Sequence, residues 1–109
     1  MEKLLGRRPI EVFTCGIIAQ EVLQGLKDEE DFQWVKTRLL MLPWLEITQQ
    51  SYLAAARLSR EVRYGGVTLA SVDALIAAVV TQYDAVLWTL DKDFVRAARV
   101  LPLRLYRPS

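Results

Sequence analysis

The chemistry this sequence offers rests on three acids, Glu21, Asp73 and Asp91, with Asp93 two residues beyond the last. Each stands just after a strand-like segment or near the start of a helix-like one. In an open α/β sheet the functional crevice lies beyond the carboxyl ends of the strands, where such positions gather. Carboxylates brought together there suit a hard, oxygen-seeking cation such as Mg²⁺ or Mn²⁺, completed by waters and substrate phosphates. Such a cation activates water and offsets charge at a phosphodiester, so the reaction needs no imidazole. The chain has no histidine, which removes every mechanism built on an imidazole base or ligand.

Other classes fall away as well. A single cysteine, Cys15, rules out an internal disulfide and a thiolate zinc site. Neither a Gly-x-Gly-x-x-Gly string nor a Walker-type loop occurs, so phosphate binding by a glycine-rich loop has no support. The 109 residues allow one small domain, and a hydrophobic fraction of 52% is ample for its core. Net charge is +1, from 14 basic and 13 acidic residues, so no global field points to a polyanion. The longest apolar run, 74–80, is too short to cross a bilayer. The opening Met-Glu-Lys-Leu-Leu-Gly-Arg-Arg lacks the apolar core and cleavage site of a signal peptide. A cytoplasmic location is the expectation.

The elements that must position the acids follow from spacing. Residues 10–15 are β-rich and closed by Gly16, which predicts a strand. Ile18, Val22 and Leu26 then stand four apart, a helix that Gly25 would stop. Asp28 caps the next helix, with three acids in its first turn, a buried stripe of Phe32, Val35, Leu39 and Leu42, and Pro43 as its end. A short strand over 44–47 leads to Thr48, the cap of a long helix carrying Tyr52, Ala55, Ala56, Leu58 and Val62. Gly65-Gly66 ends it. Ser71 caps a helix whose Val72, Leu75, Ile76, Val79 and Val80 form an amphipathic face. An apolar strand over 85–90, a short helix over 91–98 and a last strand over 103–106 complete the chain. Helices alternating with apolar strands predict one α/β domain with a mostly parallel sheet.

Taken singly, each acid has an ordinary explanation. Asp73 suits a helix N-terminus whatever else it does. Asp91 and Asp93 could open the following helix, and Glu21 could be a solvated charge. The run 28–31 is read as a cap and a wet face, because consecutive helical residues point in different directions.

The combination of strings is more specific. Thr-Cys-Gly-Ile-Ile-Ala-Gln-Glu-Val-Leu-Gln-Gly (14–25), Ser-Val-Asp-Ala-Leu-Ile-Ala-Ala (71–78) and Thr-Leu-Asp-Lys-Asp-Phe (89–94) occur in that order. Together they resemble the PIN-domain family, and within it the VapC-type toxins of bacterial toxin–antitoxin pairs. The resemblance runs from about Ile10 to Tyr106. It implies a three-layer α/β/α fold, Mg²⁺- or Mn²⁺-dependent cleavage of RNA, a small VapB-like antitoxin that covers the site, and frequent dimers. By match to the motifs, Glu21, Asp73 and Asp91 fall on the family's catalytic, metal-holding acids. Asp93 falls on a further metal-site position, and Thr89 on a small polar residue that supports the site.

The family also opens with a strand bearing an early Asp, in a string like Val-Asp-Thr-Ser, followed by a helix. Here the only acids before Glu21 are Glu2 and Glu11. Glu11 lies in the segment matching the family's second strand and cannot replace that Asp. Residues 1–8 look like the tail of the intervening helix, so the first strand, which is central in the family's sheet, is expected to be missing. A late start codon, a split gene, a decayed copy or a deliberate cut would each leave this trace. An in-frame Val-Asp-Thr-Ser-like string just upstream in the genomic DNA would point to the first, and a small overlapping upstream gene to a toxin–antitoxin pair.

Three less specific features complete the reading. Arg57, Arg60 and Arg63 recur on one helix, and Arg96, Arg99, Arg104 and Arg107 crowd the C-terminal part. Such side chains suit RNA phosphates, but a solvated basic face is the reading adopted for most. Trp34, Trp44 and Trp88 are read as core or interface aromatics rather than base-stacking platforms, and Cys15 as a small buried hydrophobe.

Three functions are carried forward. The first is a metal-dependent endoribonuclease, weak or inactive without the early Asp, whose carboxylates converge within about 10 Å, a span one or two hydrated cations can bridge. The second is a non-catalytic interaction module that keeps the antitoxin-binding or dimer surface. The third is an unrelated α/β binding domain. A sheet lacking its central strand leaves buried backbone groups unpaired, at about 1–3 kcal/mol each, and exposed strand edges invite a second chain. The expected state is therefore a homo-oligomer or a strand-complemented complex, measured by size-exclusion chromatography with light scattering. A stable two-state monomer would count against it.

Overall fold

The structure is a computed structural model, and it describes residues 11–88, 92–99, 101 and 103–105. Strand β1 (Thr14–Cys15) is followed by helices α1 (Gly16–Gln24) and α2 (Glu29–Met41), strand β2 (Trp44–Leu45), and helices α3 (Gln49–Tyr64), α4 (Ser71–Gln82) and α5 (Lys92–Ala97). β1 and β2 run parallel, with Thr14 opposite Trp44 and Cys15 opposite Leu45. The Thr14 N–H extends the pairing to the Pro43 carbonyl at 3.0 Å. Leu87 and Leu105 form a separate parallel bridge, in which the Leu87 N–H donates to the Arg104 carbonyl at 2.9 Å. Every strand pairing among the described residues is thus parallel, as the alternating pattern predicts. The fold is α/β, rich in helix with a small sheet.

The strands are shorter than the apolar runs that predict them. Only the last two residues of 10–15 pair, and Glu11, Val12 and Phe13 are exposed. Of 44–47 the first two pair, and of 85–90 only Leu87 does among the described residues. Of 103–106 only Leu105 pairs, with Tyr106 outside the described set. Apolar sequence sets where a strand can lie, but a neighbour's backbone sets how much of it is paired. Residues 1–10, read as a helix tail and the start of a strand, lie outside the described residues.

Helix boundaries follow local chemistry closely. The Asp28 carboxylate accepts from the Glu30 N–H at 2.8 Å, and Glu29, Glu30 and Asp31 fill the first turn of α2. Gly66 sits at φ +81° just past α3, a conformation that a side chain would strain. α4 begins one residue earlier than its serine suggests. Ala70 is the cap and Ser71 the first helical residue, since the extended backbone at Ala70 already turns the chain into the helix.

Two expectations about burial are corrected. The stripe of α2 faces inward, but Phe32, Val35, Leu39 and Leu42 are only half-buried and no residue of the helix is fully buried. Nothing among the described elements covers that side completely. α4, in contrast, is not merely amphipathic. Residues 74–80 are buried at every position, because Ala74, Ala77 and Ala78 let neighbours approach on sides where a larger residue would hold them off. One side meets Val62, Leu69, Leu87, Phe94, Ala97, Leu101 and Leu103. The other meets Cys15 and Ala55. Ile17 and Ile18 of α1 pack against both groups. Among the described residues no helix is long and apolar enough to cross a membrane.

A buried polar clip fixes α3 to α4. The Ser51 hydroxyl, with no exposed surface, accepts from the Thr48 N–H at 3.0 Å and donates to Gln82 Oε1 at 2.6 Å. The Tyr83 hydroxyl donates to the Glu46 carbonyl at 2.7 Å just beyond. Ser51→Ala is expected to cost about 1–2 kcal/mol and Val62→Ala about 2 kcal/mol. The exposed Leu40→Ser should stay within about 0.5 kcal/mol, all read from denaturant midpoints.

Candidate functional site

The helices that carry Glu21 and Asp73 touch each other. Ile17, in the first turn of α1, packs on the core around α4, and Glu21 stands one turn further along the same row. Glu21 is exposed and its Oε2 accepts from Gln24 Nε2 at 3.1 Å. That bond is local to one turn and leaves the remaining carboxylate lone pairs open to another partner.

Asp73 lies in the first turn of α4, half-buried, and makes an interaction of its own within the chain. It shares a helical row with Ala77 and Val80, both buried in the cluster that contains Leu87 and Phe94. That row faces the segment from which the chain proceeds to residues 89–91.

The remaining candidates are described only in part. Thr89 and Asp91 lie outside the described residues. Asp93 is in α5 by its backbone, and its side chain is outside them. Among the described residues no group of three or more His, Cys, Asp or Glu side chains stands together as metal ligands would. Of the four predicted acids, only Glu21 and Asp73 have described side chains. Their chemistry nevertheless fits a hard divalent cation: both are carboxylates, and the one thiol, Cys15, is buried in β1.

Several secondary readings change. None of the three tryptophans is in the core. Trp34 is 58% exposed with the Arg38 guanidinium stacked 3.4 Å from its ring centroid. Trp44 is 47% exposed and donates from Nε1 to the Leu39 carbonyl at 2.9 Å, while Trp88 is 70% exposed. Of the two places read for them, core or interface, the core is excluded; a helix-end carbonyl satisfies the Trp44 indole N–H, and a guanidinium lies on the Trp34 ring face. Arg104 has a local role, reaching Asp84 Oδ1 at 2.7 Å and its carbonyl at 2.8 Å. Asp84 itself turns the chain at φ +54°. Cys15 is buried as expected.

One feature escaped the spacing argument. An open groove of about 560 Å³ runs between α3 and the start of α4, lined by Tyr52, Ala55, Ala56, Ser59, Arg60 and Arg63 on one side and by Ser71, Val72, Ala74 and Leu75 on the other. Arg57 lines a different recess, with Gln50, Glu61 and Gln82. The three arginines, grouped by sequence on one helix, thus divide between two surfaces. Only the approach of two helices remote in sequence creates the groove, so no local signal announces it.

Comparison with known proteins places these elements. The sequence model of the PIN domain matches residues 1–100. The VapC ribonuclease Mb1587 of Mycobacterium bovis is 30% identical over 106 residues, covering 95% of this chain and 79% of that protein. Ribonuclease VapC11 of Mycobacterium tuberculosis matches with the same figures. Among solved structures, VapBC-1 from nontypeable Haemophilus influenzae aligns with a TM-score of 0.71 at 19% identity, over 96% of this chain and 81% of that one. The latter is a likeness of fold.

Facing carboxylates are stabilised by a cation that binds only the folded chain, an effect of RT ln(1 + [L]/Kd). Millimolar Mn²⁺ is expected to raise the melting temperature. Glu21→Gln or Asp73→Asn should shrink that rise, and a melting temperature indifferent to Mn²⁺ would count against a metal role.

Proposed function

The chain belongs to the PIN-domain family, and on that premise we propose that it is a divalent-metal-dependent endoribonuclease of VapC type, the toxin of a toxin–antitoxin pair. The observation that carries the proposal is the 30% identity to VapC ribonucleases across 95% of the chain. The placement of Glu21 and Asp73 on touching helices supports it.

Glu21, Asp73, Asp91 and Asp93 would hold Mg²⁺ or Mn²⁺, with Thr89 beside them. When bound, such a cation supplies Lewis-acid chemistry, offsetting charge on the phosphodiester and making water more acidic. The residues of the chain do the rest. Asp73, one residue before the stretch of its helix that is enclosed on all sides, offers a carboxylate on a firmly held backbone. Glu21 extends from a helix surface and adjusts more freely. With no imidazole in the chain, a carboxylate is the available proton acceptor near such a site. A small VapB-like antitoxin is the proposed partner, supported by the likeness to VapBC-1, and a second copy or a strand-bearing chain is proposed to complete the assembly.

Incubating the purified chain with a labelled RNA and Mn²⁺ tests this. Cleavage that EDTA abolishes, and that Asp73→Asn reduces by about 100-fold or more, is the expected result. Binding of a VapB-like antitoxin without any metal-dependent cleavage would instead assign the chain to the non-catalytic interaction module.

A further inference from the structure

We propose that the groove between α3 and the start of α4 is a track for single-stranded RNA, with Arg60 and Arg63 holding phosphates and Tyr52 stacking on a base. The proposal deepens the ribonuclease reading and rests on it for the choice of polyanion. Its ground is the make-up of the groove.

Among the described residues, Arg60 and Arg63 are the only charged groups that line it, and no carboxylate does. Both are exposed, and neither side chain makes an ion pair or hydrogen bond with any described residue. Two guanidiniums in one concavity repel each other, and an anion between them relieves that repulsion. Guanidinium also matches phosphate in shape and in hydrogen-bond donors. Tyr52 is 60% exposed on the same rim. From Tyr52 to Arg63 the rim covers three turns of α3, about 16 Å at the rise of an α-helix. An aromatic at one end and cations at the other, spaced along a line, is the combination that binds single strands without reading sequence.

The floor separates RNA from a protein partner. Ala55, Ala56 and Ala74 make it shallow, whereas a docked peptide needs deep pockets for its large anchor residues. A base needs only a flat face and an edge open to water. At its α4 end the groove is lined by Ser71 and Val72, the residues that lead directly to Asp73. A strand in the groove therefore reaches the start of α4, where the candidate acid Asp73 stands on a different row of the helix from the groove residues.

The test is binding of a fluorescent uridine 12-mer to the full chain in EDTA, so that no cleavage occurs, across a series of salt concentrations. The Arg60→Ala/Arg63→Ala double variant should bind about 10-fold or more weakly, with its log–log salt slope reduced by about 1.4, two contacts at 0.7 each for a single strand. Tyr52→Ala should weaken binding while leaving the slope unchanged. Arg57→Ala, in the other recess, should stay within about 2-fold. Unchanged melting temperatures would show that the exposed substitutions spare the fold. If the double variant keeps the wild-type affinity and slope, or the wild-type chain binds no RNA, the proposal is overturned even where the chain cleaves RNA. It is equally overturned if poly-glutamate of matched charge competes as well as RNA, which would make the groove a site for acidic peptides. Loss of binding in the double variant with no cleavage by any form would uphold the track and remove the nuclease reading.

Discussion

Burial of the middle of α4 is the constraint on which the other elements depend. A helix enclosed on every side between residues 74 and 80 can form only if its neighbours arrive from both directions and leave no gap. Alanines at 74, 77 and 78 allow that approach, and the isoleucines of α1 join the two groups of side chains that result. No single contact here is large. Each buried aliphatic side chain contributes about 1.5–3 kcal/mol, much of it offset by the entropy of ordering the chain. What the arrangement supplies is fixity: the start of α1, the middle of α3 and the segment through Leu87 hold set positions because a common helix lies between them.

That fixity extends to the helices on which Glu21 and Asp73 stand. Charges of like sign raise the energy of the folded state, and the cost is lower at the rim of a core than within it. Glu21 is exposed and Asp73 half-buried, so water reaches both while the helices beneath them are rigid. The basic side chains are divided in the same manner. Arg38 lies on an indole, Arg104 closes a turn, and Arg60 and Arg63 face an open concavity. A net charge near zero therefore conceals a local separation of signs, which a total over the whole chain cannot reveal.

The sequence made legible whatever is decided within one or two turns. Asp28 as a cap, Gly66 as a helix stop and the positions of Glu21 and Asp73 near helix starts all depend on neighbours in the chain. Misreadings arose where a distant element decides. Phe32, Val35, Leu39 and Leu42 have the spacing of a core stripe, but a stripe is buried only if something covers it. Trp34, Trp44 and Trp88 have the size of core residues and lie at the surface, where the Trp44 N–H meets the Leu39 carbonyl and the Trp34 ring carries Arg38. Ala74, Ala77 and Ala78 carry little weight in a periodicity count, and yet they are what makes α4 central. Of the candidate site, the placement of Glu21 and Asp73 on helices could be read from spacing. The groove beside them could not, because it belongs to the distance between two helices rather than to either one.

The partial cover of α2 carries a consequence for the motions of the molecule. A helix with no fully buried residue has little to lose by coming away, whereas α4 cannot open without dissolving both halves of the core. Local opening free energies range from near zero to the global value within one protein, and these two helices belong at opposite ends of that range. Amides of α2 should then exchange with solvent through openings that leave α4 protected, and the exposed bonds around Trp34 to Met41 would be the first a protease meets. Turnover of the molecule would begin at a helix that carries none of the candidate catalytic acids, and a partner that clasped α2 would lengthen its lifetime without replacing any of them.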